Sequence, residues 1–378
     1  MFLRAVIIAA ALLLAAPAWA ATTLRVAVAK SATLTIKGMD LVVLDAAGRP
    51  VPLPDAYAEV PISVKKGRLS IGAREGVADP ITLESRSVYF RVNGRQYRDR
   101  ITVYRDGDKL LAVNSIDMED YLVGLINHEV SSAWSIEAVK AQAVVARTYA
   151  LFQADNSRDS RYDLESTIDD QVYGGSQTED YASAKAVRET AGEILVDGDG
   201  QVVQAFYSSN CGGITELPQN VWGVSTQIQK SVKDPWCAGA PGSSWTWSTD
   251  ATSFGAKLKA AGYSGGTVTA VTVKRKTAAE RALSVAVTAS GGASTMSGNE
   301  LRRVLGYEKL KSARFKVSVE DGTFTFTGKG AGHGVGMCQW GAKGMADGGY
   351  SYRQILGHYY SGLFLRNTSS LGPESAQR

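Results

Sequence analysis

Between Thr23 and about Asn114 apolar and polar residues alternate in short runs, the period of a strand with one buried face. LRVAVA, TLTIKG and LVVLDAAG come first, followed by SVYFRVNGRQYRDRITVYRDGDKLLAVNSI. In this second stretch Asn93-Gly94 and Asp106-Gly107 are the residue pairs that tight hairpins require. At Asp117 the period changes. Leu122, Leu125 and Ile126 recur at helical spacing, Asp117 suits the N-cap, and Glu119 and Asp120 fall in the first turn, where the helix dipole favours negative charge. A second helix is predicted after Ser135 as N-cap. Ile136, Val139, Ala143, Ala146 and Ala150 form one stripe, and its other faces are also rich in Ala and Val, so this helix is predicted to be buried nearly all round.

Residues 156–180 are polar and read as a loop. A helix is predicted over Tyr181 to Thr190, then a hairpin of Glu193–Val196 and Gln201–Ser209 about Asp197-Gly198-Asp199-Gly200. Two strands fill Thr267 to Thr288, a helix opened by a Ser297/Glu300 capping box runs to Leu305, and KVSV and TFTFTG flank Asp321-Gly322. The predicted class is α+β. A β-rich region (21–105) feeds a helical core with Glu129 at a helix end, and a mixed strand and short-helix part completes a second region (106–366) before a polar, disordered tail (367–378).

Residues 1–20, MFLRAVIIAAALLLAAPAWA, place Arg4 before an apolar run that ends in Ala18-Trp19-Ala20. This is the pattern of a secretory signal peptide cleaved before Ala21, and it implies export to the periplasm, cell wall or medium. No later stretch is apolar enough to span a membrane. The 41 basic and 37 acidic side chains give a net charge of +4, or +3 without Arg4, and no Lys/Arg cluster compensates for so slight an excess, which argues against a nucleic-acid partner.

Glu129 is the next position on the apolar stripe of the first helix, seven residues after Leu122. A carboxyl on a core-facing stripe loses solvation, its pKa rises, and it can serve as a general acid. Lys140 and Arg147, seven apart on the second helix, either line a polar cleft or form buried ion pairs. Ser208, in AFYSSNCGGITE, has no G-x-S-x-G elbow, so its hydroxyl and that of Tyr207 are better suited to substrate contacts than to nucleophilic attack. The glycines at 330, 332, 334 and 336 alternate, which lets another backbone or a polymer approach closely. Their spacing does not fit a dinucleotide site. His333, Gln339 and Trp340 are the side chains of that run with binding or proton-relay capacity, and a structural hydrogen bond is an equal reading for His333. Of the three cysteines, Cys211 and Cys237 are the preferred disulfide pair. Free thiols, and zinc binding together with Cys338 and His333 or His128, are the alternatives, though no C-x-x-C or H-x-x-x-H spacing supports a metal, and no cofactor is expected.

The stretch EDYLVGLINHEVSSAWSIEAVKAQAVVARTYAL resembles the core motif of the SpoIID/LytB family, named for stage II sporulation protein D and an amidase enhancer. Ser131 and Ser135 replace two prolines of the family pattern. The resemblance extends to Asn93, Gly94, Tyr97, Arg98 and Asn114, to Gln171 through Gly174, to Tyr207 through Glu216, and to GHGVGMCQWGA at Gly332–Ala342, where Cys338 stands in place of a common Ser. It implies lytic transglycosylation of peptidoglycan glycan strands with Glu129 as the single acid/base, and Lys140, Arg147, Tyr207, Ser208, His333, Gln339 and Trp340 are the candidate substrate-binding residues. Two alternatives stay open at this level: a non-catalytic wall-binding module that enhances an N-acetylmuramoyl-L-alanine amidase, and a zinc-dependent hydrolase.

Overall fold

The structure, a computed structural model, describes residues 22–53, 59–85, 89–167 and 170–370. The predicted signal peptide and residues 371–378 of the predicted tail lie outside these. The start of that tail is structured: Asn367 closes the strand Phe364–Asn367, and Thr368–Ser370 form a 3-10 turn.

The alternating runs of the N-terminal region form two six-stranded sheets. In the first, the strand Lys109–Asp117 lies between Thr23–Ser31 and Arg100–Asp106, with Ile81–Ser85 and Leu41–Leu44 beyond, and Leu164–Glu165 on the opposite edge. In the second, the order is Arg74–Val77, Arg68–Ile71, Val60–Lys65, Thr33–Lys37, Phe90–Val92 and Arg95–Tyr97. Asn93 and Gly94 take φ of 50° and 76°, as the tight hairpin between the last two strands demands. Leu24, Val26, Ile101 and Val103 of one sheet share a core with Leu34, Ile62, Leu69 and Phe90 of the other.

The strand Lys109–Asp117 is buried continuously from Leu110 to Asn114 and passes without a loop into helix α1 (Met118–Glu129). Asp117 ends the strand and caps the helix, its Oδ1 accepting from the backbone N–H of Glu119 at 2.8 Å and of Asp120 at 3.4 Å. Tyr121, Leu122, Leu125 and Ile126 face the sheet core. Because the strand is central and covered on both faces, the direction of α1, and hence the place of Glu129, is set by the sheet.

Helix α2 (Ile136–Asp155) is apolar on all sides because it separates two cores. Val139, Ala143, Ala146 and Ala150 pack on the first. Ala138, Ala141, Val144 and Val145 pack on a second, with Leu195, Ala205, Val335, Met337, Ala342 and Ile355. Ser135 occupies the N-cap position but its side chain makes no capping bond. Residues between Trp245 and Phe326 carry a third core of their own, built by the strands Ser244–Asp250, Val268–Lys276, Ala282–Ala289, Gly292–Met296, Phe315–Glu320 and Thr323–Lys329 and by two helices, Ala251–Ala260 and Gly298–Leu305. Ser297 caps the second of these, accepting from Glu300 N–H at 3.0 Å. The Glu300 carboxylate bonds to Arg303 and Tyr263 instead of reaching back to the N-cap, so half of the expected capping box forms.

One predicted hairpin differs. Glu193–Val196 meets the segment after Asp197–Gly200 only briefly, in a bridge to Val202 and a bond from Val203 N–H to the Leu195 carbonyl at 3.4 Å, and pairs along its length with Phe364–Asn367. Beyond Val203 the chain leaves the hairpin, and only Tyr207–Ser208 is extended in a sheet, parallel to Met337–Cys338. Turn residues specify a reversal, but they do not fix which strand wins the pairing.

The alternating glycines explain how these two segments approach. Gly330, Gly332, Gly334 and Gly336 have φ of 82°, 95°, 80° and 72°. A Cβ at Gly336 would run into the carbonyl of Phe206, and one at Gly330 would lie 2.6 Å from the carbonyl oxygen of Asn210. At these two positions the close partner is the chain's own 206–210 backbone, while at Gly334 it is the Arg281 guanidinium. Gly336→Ala is expected to lower stability by about 1–3 kcal/mol. Gly322→Ala serves as control, since Gly322 has a φ of 73° with open space around it. Urea midpoints for the two variants separate the cost of φ alone from that of the contact, and an equal loss in both would remove the role given to close approach.

Candidate active site

Glu129 is the last residue of α1 and lies half-buried in a cleft of about 370 Å³. The cleft is lined by Asn127, Ser131 and Trp134 beside it, and by Ser209, Gln339 and Trp340 from the second half of the chain. Helix α1 delivers Glu129 from the sheet side. The helix Gln339–Asp347 delivers Gln339 and Trp340 from the other.

Three donors meet the carboxyl. Val172 N–H reaches Oε1 at 3.3 Å, Gln339 Nε2 reaches Oε2 at 3.4 Å, and the Tyr207 hydroxyl bonds to it as well. Behind this shell Gln171 donates from Nε2 to the Tyr207 hydroxyl at 3.0 Å and accepts from the Tyr121 hydroxyl at 3.1 Å. A phenol has one proton and two lone pairs, so a Tyr207 oxygen that accepts from Gln171 directs its own proton at Glu129. Gln339 Nε2 also meets Gln142 Oε1 at 3.4 Å. Removal from water pushes the Glu129 pKa up, and the three donors pull it back part of the way. Burial, with the charge of Glu129 close by, raises the Tyr207 pKa well above 10, so this hydroxyl stays protonated.

Trp134 and Trp340 form a tilted ring pair, centroids 4.8 Å apart, at the rim of the cleft. Half-buried indoles present the flat apolar surface on which a sugar ring can stack. Two other carboxylates of the motif segments, Glu137 and Glu216, are occupied elsewhere. Glu137 binds Lys140 at 3.1 Å and the Tyr352 N–H at 2.7 Å. Glu216 binds the Leu217 N–H and Asn220, both at 2.8 Å, and Thr277 at 2.5 Å. Among the described residues Glu129 is the only carboxylate that lines the cleft.

The remaining sequence candidates separate into two groups. Tyr207, Gln339 and Trp340 converge on Glu129 or its cleft. Lys140 and Arg147 do not: the structure corrects their place in a substrate cleft. Lys140 pairs with Glu137 and with Glu189 at 2.6 Å. Arg147, 1 % exposed, forks onto Glu119 at 2.8 and 2.6 Å and donates to the carbonyl of Glu193 at 3.1 Å. These are the ion pairs of the other reading, set by the two-sided burial of α2. Ser208 is buried, and its Oγ has no hydrogen-bond partner among the described residues, so no base activates it. His333 lies outside the cleft lining, against the rings of Trp222 and Phe206, its Nδ1 accepting from Val335 N–H at 3.1 Å. Burial, reinforced by the Arg302 and Arg281 cations, pushes its pKa down to about 3, and the imidazole is neutral.

Tyr121, Gln142, Trp134 and the Val172 amide belong to the site and were not singled out for it from the sequence. Gln142 carried a signal, as a polar side chain on a helix buried all round. The Val172 N–H carries none, since every residue type but proline has that group. The cysteines are unbonded, with the Sγ atoms of Cys211 and Cys237 3.7 Å apart. They gather with Cys338 and Asp234 in one buried cluster, which neither His333 nor His128 joins. No helix among the described residues is long and apolar enough to cross a membrane.

The family model described as "Stage II sporulation protein" matches residues 106–196, which include α1 and α2, and a domain of unknown function, DUF8618, matches residues 244–336, the span of the third core. An uncharacterised protein of Brachyspira hyodysenteriae is 32% identical over 72% of this chain and 73% of its own length. Stage II sporulation protein D of Bacillus amyloliquefaciens is 33% identical over 71% of this chain and 79% of its own. The amidase enhancer of Bacillus subtilis is 32% identical over 65% of this chain and 40% of its own. With these relatives matched over most of the chain, and with the motif residues gathered around Glu129, the protein belongs to the stage II sporulation protein D (SpoIID) family.

Proposed function

We propose that the chain is an exported cell-wall enzyme that cleaves peptidoglycan glycan strands by lytic transglycosylation, with Glu129 acting first as acid and then as base. The observation that carries the reading is the lone, desolvated carboxyl in an aromatic-rimmed cleft. Glycoside hydrolysis calls for two carboxyl groups, about 5–9.5 Å apart, the second serving as nucleophile or as base for water. With one, the substrate supplies its own nucleophile. Protonated Glu129 gives its proton to the glycosidic oxygen as the C1–O bond breaks. The resulting carboxylate takes the proton of the muramic C6 hydroxyl as O6 attacks C1. The products are a free 4-hydroxyl end and a 1,6-anhydro-muramic end, and no water is consumed.

The hydrogen-bond shell suits both halves of this cycle. Desolvation favours the protonated acid of the first step, while the Val172 and Gln339 donors, at 3.3 and 3.4 Å, are placed to hold the carboxylate of the second. Tyr207 stays a donor throughout. The rate is expected to fall as pH rises through the raised Glu129 pKa, because the acid form starts the cycle.

One observation favours a second reading. A relative is an amidase enhancer, so the same cleft could hold glycan for a partner amidase without cutting it. Mass spectrometry of purified glycan strands after incubation with the protein decides between them. The first reading expects anhydro-muramic ends, with and without stem peptides compared in parallel. Reducing ends would make the protein a hydrolase, and binding without cleavage would leave the enhancer.

A further inference from the structure

Cys211, Asp234, Cys237 and Cys338 come from three separate parts of the chain, yet their ligand atoms all lie within 4.8 Å of one another. All four residues are fully buried. A disulfide between Cys211 and Cys237 would use two of these groups and leave a thiol and a carboxyl facing it without a role. The spacing fits a different arrangement. Ligand sulfurs about 2.3 Å from a common tetrahedral centre are about 3.8 Å from one another. The Cys211–Cys237 separation is 3.7 Å, and Asp234 Oδ2 stands 3.1 Å from Cys211 Sγ.

The surroundings are built for negative charge. Cys338 Sγ accepts from the backbone N–H of Cys211 at 3.2 Å and of Gly341 at 3.3 Å. It also caps the helix Gln339–Asp347, where the dipole favours a thiolate. Asp234 is held by its other oxygen, Oδ1 accepting from Trp236 N–H at 3.0 Å and Cys237 N–H at 3.2 Å, which leaves Oδ2 turned to the sulfurs. Position 341 has to be glycine, since a Cβ there would run into Asp234 Oδ2. Beside the cluster lies a buried cation. Arg281 donates to the Cys211 carbonyl at 2.8 Å, and its charge is felt by the Glu216 carboxylate and by Cys211. Three thiolates and a carboxylate around a divalent ion leave two negative charges, and a neighbouring guanidinium offsets part of them.

We propose that Cys211, Asp234, Cys237 and Cys338 bind one zinc ion as a closed structural site. Thiolate-rich tetrahedral sets select zinc, and four protein ligands leave no position for a reactive water. Binding releases the three thiol protons and changes no oxidation state. The ion ties the loop after Tyr207–Ser208 to Cys338, the residue before Gln339. It therefore fixes the relative position of the two segments that deliver Tyr207 and Gln339 to Glu129. The site is independent of the chemistry assigned to the cleft, and it stands if the cleft proves not to cut glycan.

The test uses the full chain purified without chelator. Inductively coupled plasma mass spectrometry is expected to find about one zinc per chain. Replacing zinc with cobalt is expected to give the intense visible bands of a tetrahedral ion and the near-ultraviolet bands of sulfur-to-cobalt charge transfer. Cys338→Ser and Asp234→Asn are each expected to lower metal occupancy, and a chelator to lower the Tm of the wild type. Should a variant fail to fold, the wild-type zinc content and cobalt spectrum still decide. A metal-free protein whose intact mass is lower by the two hydrogens of a disulfide, with Cys211 and Cys237 peptides linked, would overturn the proposal. So would three thiols that react freely with no metal present and no change of Tm on chelation.

Discussion

Replacing Glu129 with Gln is expected to lower the rate of glycan cleavage by ~10²- to 10⁴-fold, the usual contribution of a positioned general acid. The amide keeps the size of the side chain and can still accept from Val172 N–H, but it carries no transferable proton. Stability should move the other way. Burial raises the Glu129 pKa in the folded state, so its contribution is fully present below the unfolded carboxylate pKa and is lost as pH rises through the folded value. Near neutral pH the wild type therefore pays to keep a half-desolvated carboxylate, and the Gln variant does not. Thermal unfolding from the carboxylate range up to neutral pH is expected to show the wild type losing more stability than Glu129→Gln as pH rises. A variant that is both inactive and less stable at neutral pH would show Glu129 to be a structural residue.

The largest expected loss of stability lies away from the cleft. Glu119→Ala leaves the guanidinium of Arg147, 1 % exposed, without its carboxylate partner. Removing one member of a buried pair costs about 3–5 kcal/mol, because the remaining charge is uncompensated. Glu119 is itself about one-third exposed, so water screens part of the effect and places the loss towards the lower end of that range. The double variant Glu119→Ala/Arg147→Met is expected to regain most of the loss, as the charge leaves with its partner. Cleavage per folded molecule should be unchanged in Glu119→Ala. A selective loss of glycan binding at unchanged stability would return Arg147 to the substrate cleft.

The contrast between Arg147 and Glu129 shows how far pattern reasoning reached. Both are polar residues on apolar helices, and both stand out in the pattern for that reason. For Glu129 the stripe gave burial and the helix end gave an unfavourable place for negative charge, so the tension was visible along the chain. For Arg147 the deciding fact is Glu119, 28 residues away on α1. Whether that partner or a cleft received the guanidinium depended on how α1 and α2 cross. The cysteines behave in the same way. Along the chain Cys211 and Cys237 sit in loops of the same half, and only the fold, with the Gly330–Gly336 run against the 206–211 segment, gathers Cys338 and Asp234 beside them.

Local elements, and the candidate acid among them, are legible along the chain. Alternation gave the strands of the N-terminal sheets, Asn93-Gly94 gave its hairpin, Asp117 gave the start of α1, and the helical period placed Glu129 on the buried stripe, since these depend on residues within a few positions of one another. The tertiary structure alone decided strand partners, such as Glu193–Val196 with Phe364–Asn367. It alone gave residues 245–326 a separate core, and gathered Tyr121, Val172, Tyr207 and Gln339 around one carboxyl. The reason is physical. A strand edge or a buried carboxyl accepts any partner with the right donors and shape, and the chain's packing as a whole determines which one arrives.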